Sequence, residues 1–252
     1  EFLAVGQGED AAMESGQRMV EAVEAKIGSV LFACLLGSRG YNVALPESDA
    51  DMVMVAAFEA EGHWGVDAPL PTVHHALPDQ IADYVVYDVA AFADLARSAD
   101  MHALEPLFQV PGMVVRTSPP FAALAARRSE LLLRGDGGRA VVAKCVSEAL
   151  GRRGAAQTDA LFAKLAVTEP GPKADGLRDM LRKKLYVQAA LMARALSVAD
   201  TGELTVFLPT SSPAQLFAAG IRSGDVPLDL ARARIRSMVD EATAWLGPEY
   251  DD

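Results

Sequence analysis

The sequence predicts an α+β fold, in which a small mixed sheet with flanking helices is followed by a mainly helical C-terminal half. Three short β-favouring runs lie between residues 30 and 87. Beyond residue 88, apolar residues recur at three-to-four spacing in segments that Gly or Pro separates. The composition, 51% hydrophobic and 23% charged, is ordinary for a globular protein, so disorder is not expected.

The chain has 252 residues, which is long enough for one large core or two smaller ones. We expect a sheet-containing domain over residues 1–110 and a helical domain over residues 111–252, because the β-favouring runs end before the helical periodicity takes over.

The first half contains a leading helix and three strands. Apolar residues at helical spacing between residues 13 and 27 predict an amphipathic helix, and the continuous apolar run 30–36 predicts a strand buried on both faces. Residues 51–55 and 83–87 predict two further strands. We expect loops at residues 40–48, which are turn-prone, and at 62–79, which are rich in Pro, Gly and His.

The second half is predicted to be helical. Asp88 can cap a helix over residues 89–98, because its carboxylate can accept the amides of the first turn. One β-favouring piece, residues 203–208, interrupts the pattern. The further predicted helices are 122–133, 140–152, 159–166, 177–198, 213–222 and 228–246.

Neither cysteines nor histidines form a recognisable reactive or metal site. Cys34 and Cys145 lie in apolar runs and are expected to be buried and structural. We assign the histidines to loops or the surface, because none is at a metal-ligand spacing from another; they are His63, His74, His75 and His102.

The net charge of −11 repels a phosphate backbone, so any contact with RNA has to be local. Short basic groups are interpreted as solvated helix faces. They lie at residues 127–128, 152–153, 182–184 and 232–236.

Nothing in the chain predicts a membrane span or an export signal. The longest apolar run, residues 30–36, is far shorter than the roughly 20 residues that a membrane-spanning helix needs. The chain starts at Glu1 rather than Met, which is compatible with removal of an initiator or a targeting segment. We expect an intracellular protein, in the cytoplasm or an organelle interior.

Two aspartates mark the start of the second predicted strand. Residues two apart in a strand point to the same side, so Asp49 and Asp51 place two carboxylates together, as Mg²⁺ prefers. The preceding strand ends in Gly37 and Ser38, which let a phosphate approach the backbone and offer it donors. If the strand beginning at Asp83 is adjacent, a third carboxylate completes a set able to hold two cations about 3.5–4 Å apart.

This arrangement suits in-line nucleotidyl transfer. One cation would lower the pKa of an attacking hydroxyl, and the other would neutralise a triphosphate and its pyrophosphate leaving group. An Asp-x-Asp pair alone is weak support, because two acids near a turn are usually a solvated loop or a helix cap.

The longer string Leu-Gly-Ser-Arg-Gly-Tyr-Asn-Val-Ala-Leu-Pro-Glu-Ser-Asp-Ala-Asp, residues 36–51, is more specific. It resembles the signature of the DNA-polymerase-β-type nucleotidyltransferase superfamily, most closely its small branch associated with RNA repair. The resemblance extends to residues 83–92, 102–108, 201–209 and 221–224, and spans roughly residues 29–245. It implies that residues 1–110 form a polymerase-β-like core.

The resemblance also implies residue roles. Gly37, Ser38 and Arg39 would bind the triphosphate of a nucleoside triphosphate. Glu105 would lie near the site. The catalytic and Mg²⁺-ligating residues would be Asp49, Asp51 and Asp83.

The chain departs from the family pattern in two places. The family has a His and an Arg one turn apart on the long helix, and this chain has Val187 or Gln188 in place of the first and Ala190 or Leu191 in place of the second. The family also has an aromatic-Gly-Tyr segment, which corresponds here to the altered residues 149–152. Lys184 and Arg194 lie on the same helix and could substitute in nucleotide binding, although a surface cation whose stem packs along the helix is the interpretation favoured for each.

Two hypotheses follow. The first is a Mg²⁺-dependent enzyme that transfers a nucleoside monophosphate from a nucleoside triphosphate to a hydroxyl on RNA. The alternative is a non-catalytic subunit of the same fold, serving as a structural or binding component of an RNA-containing assembly. Retained carboxylates favour the enzyme, whereas the altered segments and the acidic composition favour the subunit.

Overall fold

The computed structural model describes residues 7–46, 48–58, 72–76, 83–130 and 136–248, and only the backbone at 7–9, 72–76, 83, 152 and 153. The chain divides into two compact units, Glu1–Leu131 and Leu132–Asp252. The sequence places the boundary at residue 110, but the first unit continues beyond it because residues 114–117 form a strand of its sheet.

The first unit is an α+β unit, as predicted. Its elements are α1 (Gln7–Glu24), β1 (Gly28–Leu35), α2 (Gly37–Gly40), β2 (Met52–Phe58), β3 (Thr72–Ala76), β4 (Asp83–Asp88), α3 (Val89–Arg97), α4 (Met101–Leu107), β5 (Val114–Thr117) and α5 (Pro119–Ala126).

The described strands form one mixed sheet in the order β3-β4-β2-β1-β5. β1 is antiparallel to β2, and Leu35 at the end of β1 pairs with Met52 at the start of β2. β4 is parallel to β2, with Tyr84 opposite Met52. The end of β1 and the starts of β2 and β4 therefore meet at one edge of the sheet.

The core of this unit consists of the central strands and the helices packed on them. β1 and β2 are buried along most of their length, as expected for continuous apolar runs. The ring of Phe121 from α5 stacks on Phe32 of β1, with centroids 4.0 Å apart. The carboxylate of Asp88 caps α3 by accepting the amide of Ala90 at 2.8 Å, which confirms the predicted cap.

Two strands were not predicted. Residues 72–76 were interpreted as part of a loop, but they form β3, which pairs with β4 at the edge of the sheet and contains His74 and His75. The loop prediction is wrong there because an edge strand is stabilised by its neighbour's backbone rather than by an apolar pattern of its own. β5 has only four residues and likewise depends on pairing with β1. His63 lies outside the described residues.

The second unit is helical, as predicted. Its long helix α8 packs against the four other helices that the structure describes in this unit. α8 ends at Gly202 (φ +72°), and Ser212 caps α9 by accepting the amide of Gln215. The elements are α6 (Gly137–Leu150), a π-helical turn (Arg152–Ala156), α7 (Gln157–Ala166), α8 (Pro172–Thr201), α9 (Pro213–Ser223) and α10 (Leu228–Leu246).

The β-favouring piece at residues 203–208 is not a strand. Its alternation is real, since Leu204, Val206 and Leu208 are all buried, but none of the described strands pairs with it. Ser197 of α8 binds it instead, donating to the carbonyl of Glu203. A period-two pattern thus shows that alternate side chains are buried, but it does not show that the backbone is hydrogen-bonded to another strand.

Both cysteines are buried free thiols, which confirms the structural interpretation. Burial raises the pKa of the Cys34 thiol, and the nearby Glu105 carboxylate raises it further. None of the described helices has the length and apolar character needed to cross a membrane.

Candidate functional site

The site is built on the turn that follows β1. Leu36 is extended (φ −124°, ψ −153°), and its amide donates to the carbonyl of Asp51 at 2.8 Å. This bond continues the ladder one residue beyond the Leu35 and Met52 pair. Gly37 then adopts φ +59° and begins α2. The chain therefore turns sharply directly after the last hydrogen bond between the β1 and β2 segments.

Gly37 and Asp51 are in close contact. A Cβ atom on Gly37 would lie 2.0 Å from Oδ2 of Asp51, far inside van der Waals contact, so the carboxylate would have to move. The Asp51 carboxylate therefore packs directly against the backbone of the Gly-Ser turn. Both the left-handed φ and the absence of a side chain make glycine the residue that this turn requires.

The other end of α2 is fixed by a buried glutamine. Nε2 of Gln109 donates to the carbonyls of Leu35 and Gly40, both at 3.2 Å, and Gln109 is only 4% exposed. A Cβ atom on Gly40 would come within 2.8 Å of the same Nε2. Gln109 thus ties the last residue of β1 to the last residue of α2 and holds the turn in shape.

Arg39 organises the loop that leads to the aspartates. Its Nη2 donates to the carbonyl of Ser48 at 2.6 Å, and its Nε donates to the carbonyl of Asp49 at 3.1 Å. The Ser48 hydroxyl in turn accepts the amide of Leu45 at 2.8 Å. In this structure Arg39 therefore holds the backbone of a predicted metal ligand, and its predicted contact with triphosphate stays a prediction.

A buried pair lies behind the loop. The hydroxyl of Tyr41 donates to Oε2 of Glu105 at 3.0 Å, and both residues are less than a tenth exposed. Glu105 thus lies close to the signature segment. Burial raises the pKa of Tyr87, and the Asp100 and Glu105 carboxylates raise it further.

The three predicted metal ligands belong to the same edge of the sheet. Asp49 is exposed and Asp51 is half-buried, both in the extended segment that enters β2. Asp83 is the first residue of β4, one position before the Tyr84 and Met52 pair, and its side chain lies outside the described residues. The pairing therefore places the backbone of Asp83 beside that of Asp51, with Asp49 two positions earlier in the chain.

The donor chemistry here fits Mg²⁺, because a hard cation takes carboxylate oxygens and Asp51 already presents one beside the Gly-Ser turn. Among the described side chains, no group of three or more His, Cys, Asp or Glu is arranged to hold a metal.

The remaining predicted residues are Ser38 in the first unit and Lys184 and Arg194 on α8 of the second. Ser38 is only 2% exposed, in the single turn of α2. In the second unit, Lys184 donates from Nζ to Oε1 of Gln157 at 2.7 Å. Arg194, interpreted from the sequence as a surface cation, is instead 2% exposed; that interpretation is wrong because this part of α8 is surrounded by other helices. Nucleotide binding by Lys184 stays a prediction.

Sequence reasoning missed Gln109 and gave Tyr41 no role. Gln109 reaches partners 69 and 74 positions away, and no local pattern marks such a contact. Tyr41 lies inside the signature string, but only the fold shows that its hydroxyl meets Glu105. Both residues are buried beneath the signature segment, and their hydrogen bonds to other protein groups replace those that water would otherwise make.

Comparison with known proteins bears on this geometry. Among solved structures, the chain is similar to a nucleotidyltransferase-like protein from Exiguobacterium sibiricum 255-15, with 10% identity and a TM-score of 0.34, over 94% of this chain and 78% of that one. No curated protein matches the chain.

The family match is more informative. The model of the RNA repair pathway DNA polymerase beta family matches residues 12–135, a stretch that contains most of α1, all the described strands and the Gly37 to Asp51 segment. It ends close to the limit of the first compact unit at Leu131. These residues, just under half of the chain, match the nucleotidyltransferase family of the DNA-polymerase-β type.

Proposed function

We propose that this protein is a Mg²⁺-dependent nucleotidyltransferase that transfers a nucleoside monophosphate from a nucleoside triphosphate to a hydroxyl on RNA. The observation that carries the proposal is the contact between Gly37 and the Asp51 carboxylate. It brings a turn suited to phosphate and an oxygen donor suited to a cation to the same point. The description of the matching family, RNA repair, supports RNA as the acceptor.

Each residue has a separate part in this proposal. Gly37 and Ser38 form the turn on which the triphosphate lies, and Asp49 and Asp51 hold Mg²⁺ from the start of β2. Asp83 contributes a third carboxylate from β4, as a ligand or as the base that takes the proton of the acceptor hydroxyl. Bound Mg²⁺ would supply charge neutralisation at the triphosphate and a lowered pKa for the acceptor hydroxyl.

Arg39, Gln109 and Tyr41 position these groups. Their hydrogen bonds fix the aspartate loop, the turn and the buried Glu105 before any ligand arrives. Preorganisation of this kind is favourable for phosphoryl chemistry, because catalysis there depends mainly on positioning and electrostatic stabilisation.

One observation favours the alternative, a non-catalytic subunit that contributes to an RNA-containing assembly. Gln188 occupies one of the positions where the family pattern has changed; it is 9% exposed and donates to the Thr158 hydroxyl at 3.4 Å. Thr158 donates in turn to the carbonyl of Gly154 at 2.8 Å. Gln188 therefore makes structural contacts within the helical unit, at a position where the family pattern has a His or an Arg.

The decisive experiment is Mg²⁺-dependent incorporation of each labelled nucleoside triphosphate into an RNA pool. The native protein is compared with a double Asp49→Asn, Asp51→Asn variant and with Asp94→Asn as the control. Asp94 belongs to the same unit, and its side chain is 59% exposed and pairs with Arg97 on the surface. We expect incorporation from one preferred donor, lost in the double variant and kept in the control.

Loss of incorporation in the double variant alone supports the enzyme and identifies its donor. Circular dichroism has to show that the variant is folded. No incorporation from any donor by the folded native protein overturns the proposal in favour of the non-catalytic subunit.

A further inference from the structure

The segment that carries β1 to β4 has very little positive charge. Residues 27–96 include ten Asp and Glu but only one Lys or Arg, which is Arg39. The guanidinium of Arg39 is engaged, since its Nη2 and Nε donate to the carbonyls of Ser48 and Asp49 at 2.6 and 3.1 Å. Lys and Arg side chains are the groups with which proteins commonly neutralise a phosphate. This segment therefore offers a triphosphate little neutralising charge of its own.

The Asp51 carboxylate lies against the turn on which we place the triphosphate. The three atoms nearest to the position that a Cβ atom of Gly37 would occupy are Oδ2, Cγ and Cβ of Asp51. The backbone fixes the same residue, because the amide of Leu36 donates to the carbonyl of Asp51 at 2.8 Å. Asp51 is also half-buried. Its negative charge is thus held at the turn before any ligand arrives.

A triphosphate without a cation would meet this carboxylate at short range. Like charges repel each other more strongly in a partly buried place than in water, because less solvent screens them. When Mg²⁺ is bound, carboxylate and phosphate oxygens can both be its ligands. The same carboxylate therefore opposes a free triphosphate but favours one that binds with a cation.

We propose that Asp51 excludes metal-free nucleotides, so that a nucleoside triphosphate binds this protein only together with a divalent cation. Asp51 is then a specificity-determining residue in addition to a ligand, and the cation is a condition of binding as well as of catalysis. Ligation of Mg²⁺ alone would not require that the free nucleotide be rejected. The inference rests on the proposed function in placing the triphosphate at Gly37 and Ser38.

Isothermal titration calorimetry tests the exclusion directly. The ligands are the α,β-methylene analogues of the four nucleoside triphosphates, which cannot transfer their nucleotide, and no RNA is present. Each analogue is titrated into the full chain in Mg²⁺ and in EDTA. We expect the preferred analogue to bind about a hundredfold more weakly in EDTA. Equal affinity with and without the cation would overturn the proposal.

Asp51→Asn separates exclusion from ligation. The variant should bind more weakly than the native protein in Mg²⁺, because a ligand is lost, but about tenfold more tightly in EDTA, because the repulsion is lost. The new Asn amide could itself donate to a phosphate, so Asp51→Ala is measured as well and should show the same gain. Circular dichroism checks that both variants are folded. A gain in Asp51→Asn alone, or in neither variant, would overturn the proposal.

Two further variants control for charge in general. Asp94→Asn removes a surface charge of the same unit, where Asp94 pairs with Arg97, and should leave both affinities within about twofold of the native values. Asp49→Asn removes the other predicted ligand of this segment, which is exposed and is not among the atoms nearest to Gly37. It should weaken binding in Mg²⁺ without a gain in EDTA. A gain in EDTA as large as that of Asp51→Asn, in either control, would assign the effect to net charge and contradict the proposal.

Binding is measured here without transfer, so its outcome is separate from that of the incorporation assay. Cation-independent binding with incorporation intact would remove the exclusion by Asp51 and leave the enzyme in place. Cation-dependent binding that Asp51→Asn relaxes, without incorporation, would support the exclusion in a non-catalytic subunit. No binding of any analogue in either condition would overturn both the exclusion and the nucleotide site on which it rests.

Discussion

The Asp51 carboxylate occupies the space into which a side chain on Gly37 would project, 2.0 Å from the position of the missing Cβ atom. This contact joins the two halves of the signature, which are fourteen positions apart in the sequence. Because of it, the Asp51 carboxylate can lie where it does only if residue 37 is a glycine.

Replacing Gly37 with Ala should therefore abolish incorporation. The change forces a residue with a Cβ atom to adopt φ +59°, at a cost of about 1–2 kcal/mol, and also displaces the Asp51 carboxylate. The measurement is incorporation together with the free energy of unfolding in urea. Gly112→Ala is the control, because a Cβ atom there meets nothing within 4 Å. Full incorporation by Gly37→Ala would show that activity does not depend on the Asp51 carboxylate being held against residue 37.

Replacing Arg39 should raise the Mg²⁺ concentration needed for activity more than it raises KM for the nucleotide. Arg39→Ala removes the hydrogen bonds to the carbonyls of Ser48 and Asp49, which loosens the segment carrying a proposed Mg²⁺ ligand. We expect incorporation about tenfold lower, with a higher Mg²⁺ concentration needed for half-maximal rate and little change in KM for the nucleotide. The surface Arg97→Ala variant serves as a reference. A rise in KM for the nucleotide alone would instead assign Arg39 to the triphosphate.

Gln109 should contribute mainly to stability. Gln109→Leu keeps the volume but leaves the carbonyls of Leu35 and Gly40 without their shared donor in a buried place, at a cost of about 1–3 kcal/mol. Urea unfolding measures this loss. Gln17→Leu is matched to it, since the Gln17 amide pairs with Glu21 in an exposed contact, and its effect should stay within about 0.5 kcal/mol. Equal stability of the two variants would remove the structural role of Gln109.

The buried Cys34 predicts a loss of stability in alkali. Its folded pKa is raised above the ordinary value of 9.0, so the thiol stays protonated in the folded protein while the unfolded chain ionises. Its stabilising effect is complete below pH 9. Above pH 9 it declines, by up to about 1.4 kcal/mol per pH unit.

Urea unfolding between pH 8 and pH 10 tests this prediction by comparing the native protein with Cys34→Ala. The variant is expected to be less stable at pH 8, because the substitution leaves a cavity, but to have the shallower slope above pH 9. Parallel slopes would contradict the assignment of this titration to Cys34.

The sequence alone predicted the elements that carry strong local patterns. The continuous apolar runs of β1 and β2 and the helical spacing of residues 228–246 appear in the structure close to their expected bounds. The cap at Asp88 followed from the chemistry of one side chain. The Gly-Ser and Asp-x-Asp signature identified the superfamily because it fixes residue types at fixed spacing, and the family match over residues 12–135 confirms it.

Other features depended on partners distant in sequence. β3 and β5 are strands because β4 and β1 offer them hydrogen bonds, whereas residues 203–208 have an alternating pattern but pair with no strand that the structure describes. Arg194 is buried although its sequence context resembles that of a surface cation.

The same division holds within the site. The sequence determined which residues carry oxygen donors and which turn can approach a phosphate. Only the tertiary structure decided that the Asp51 carboxylate lies against Gly37, that Arg39 holds the Asp49 backbone and that Gln109 closes the turn from 69 and 74 positions away. Local propensity depends on neighbours within a few residues, but burial and hydrogen bonding depend on whichever groups the fold brings into contact.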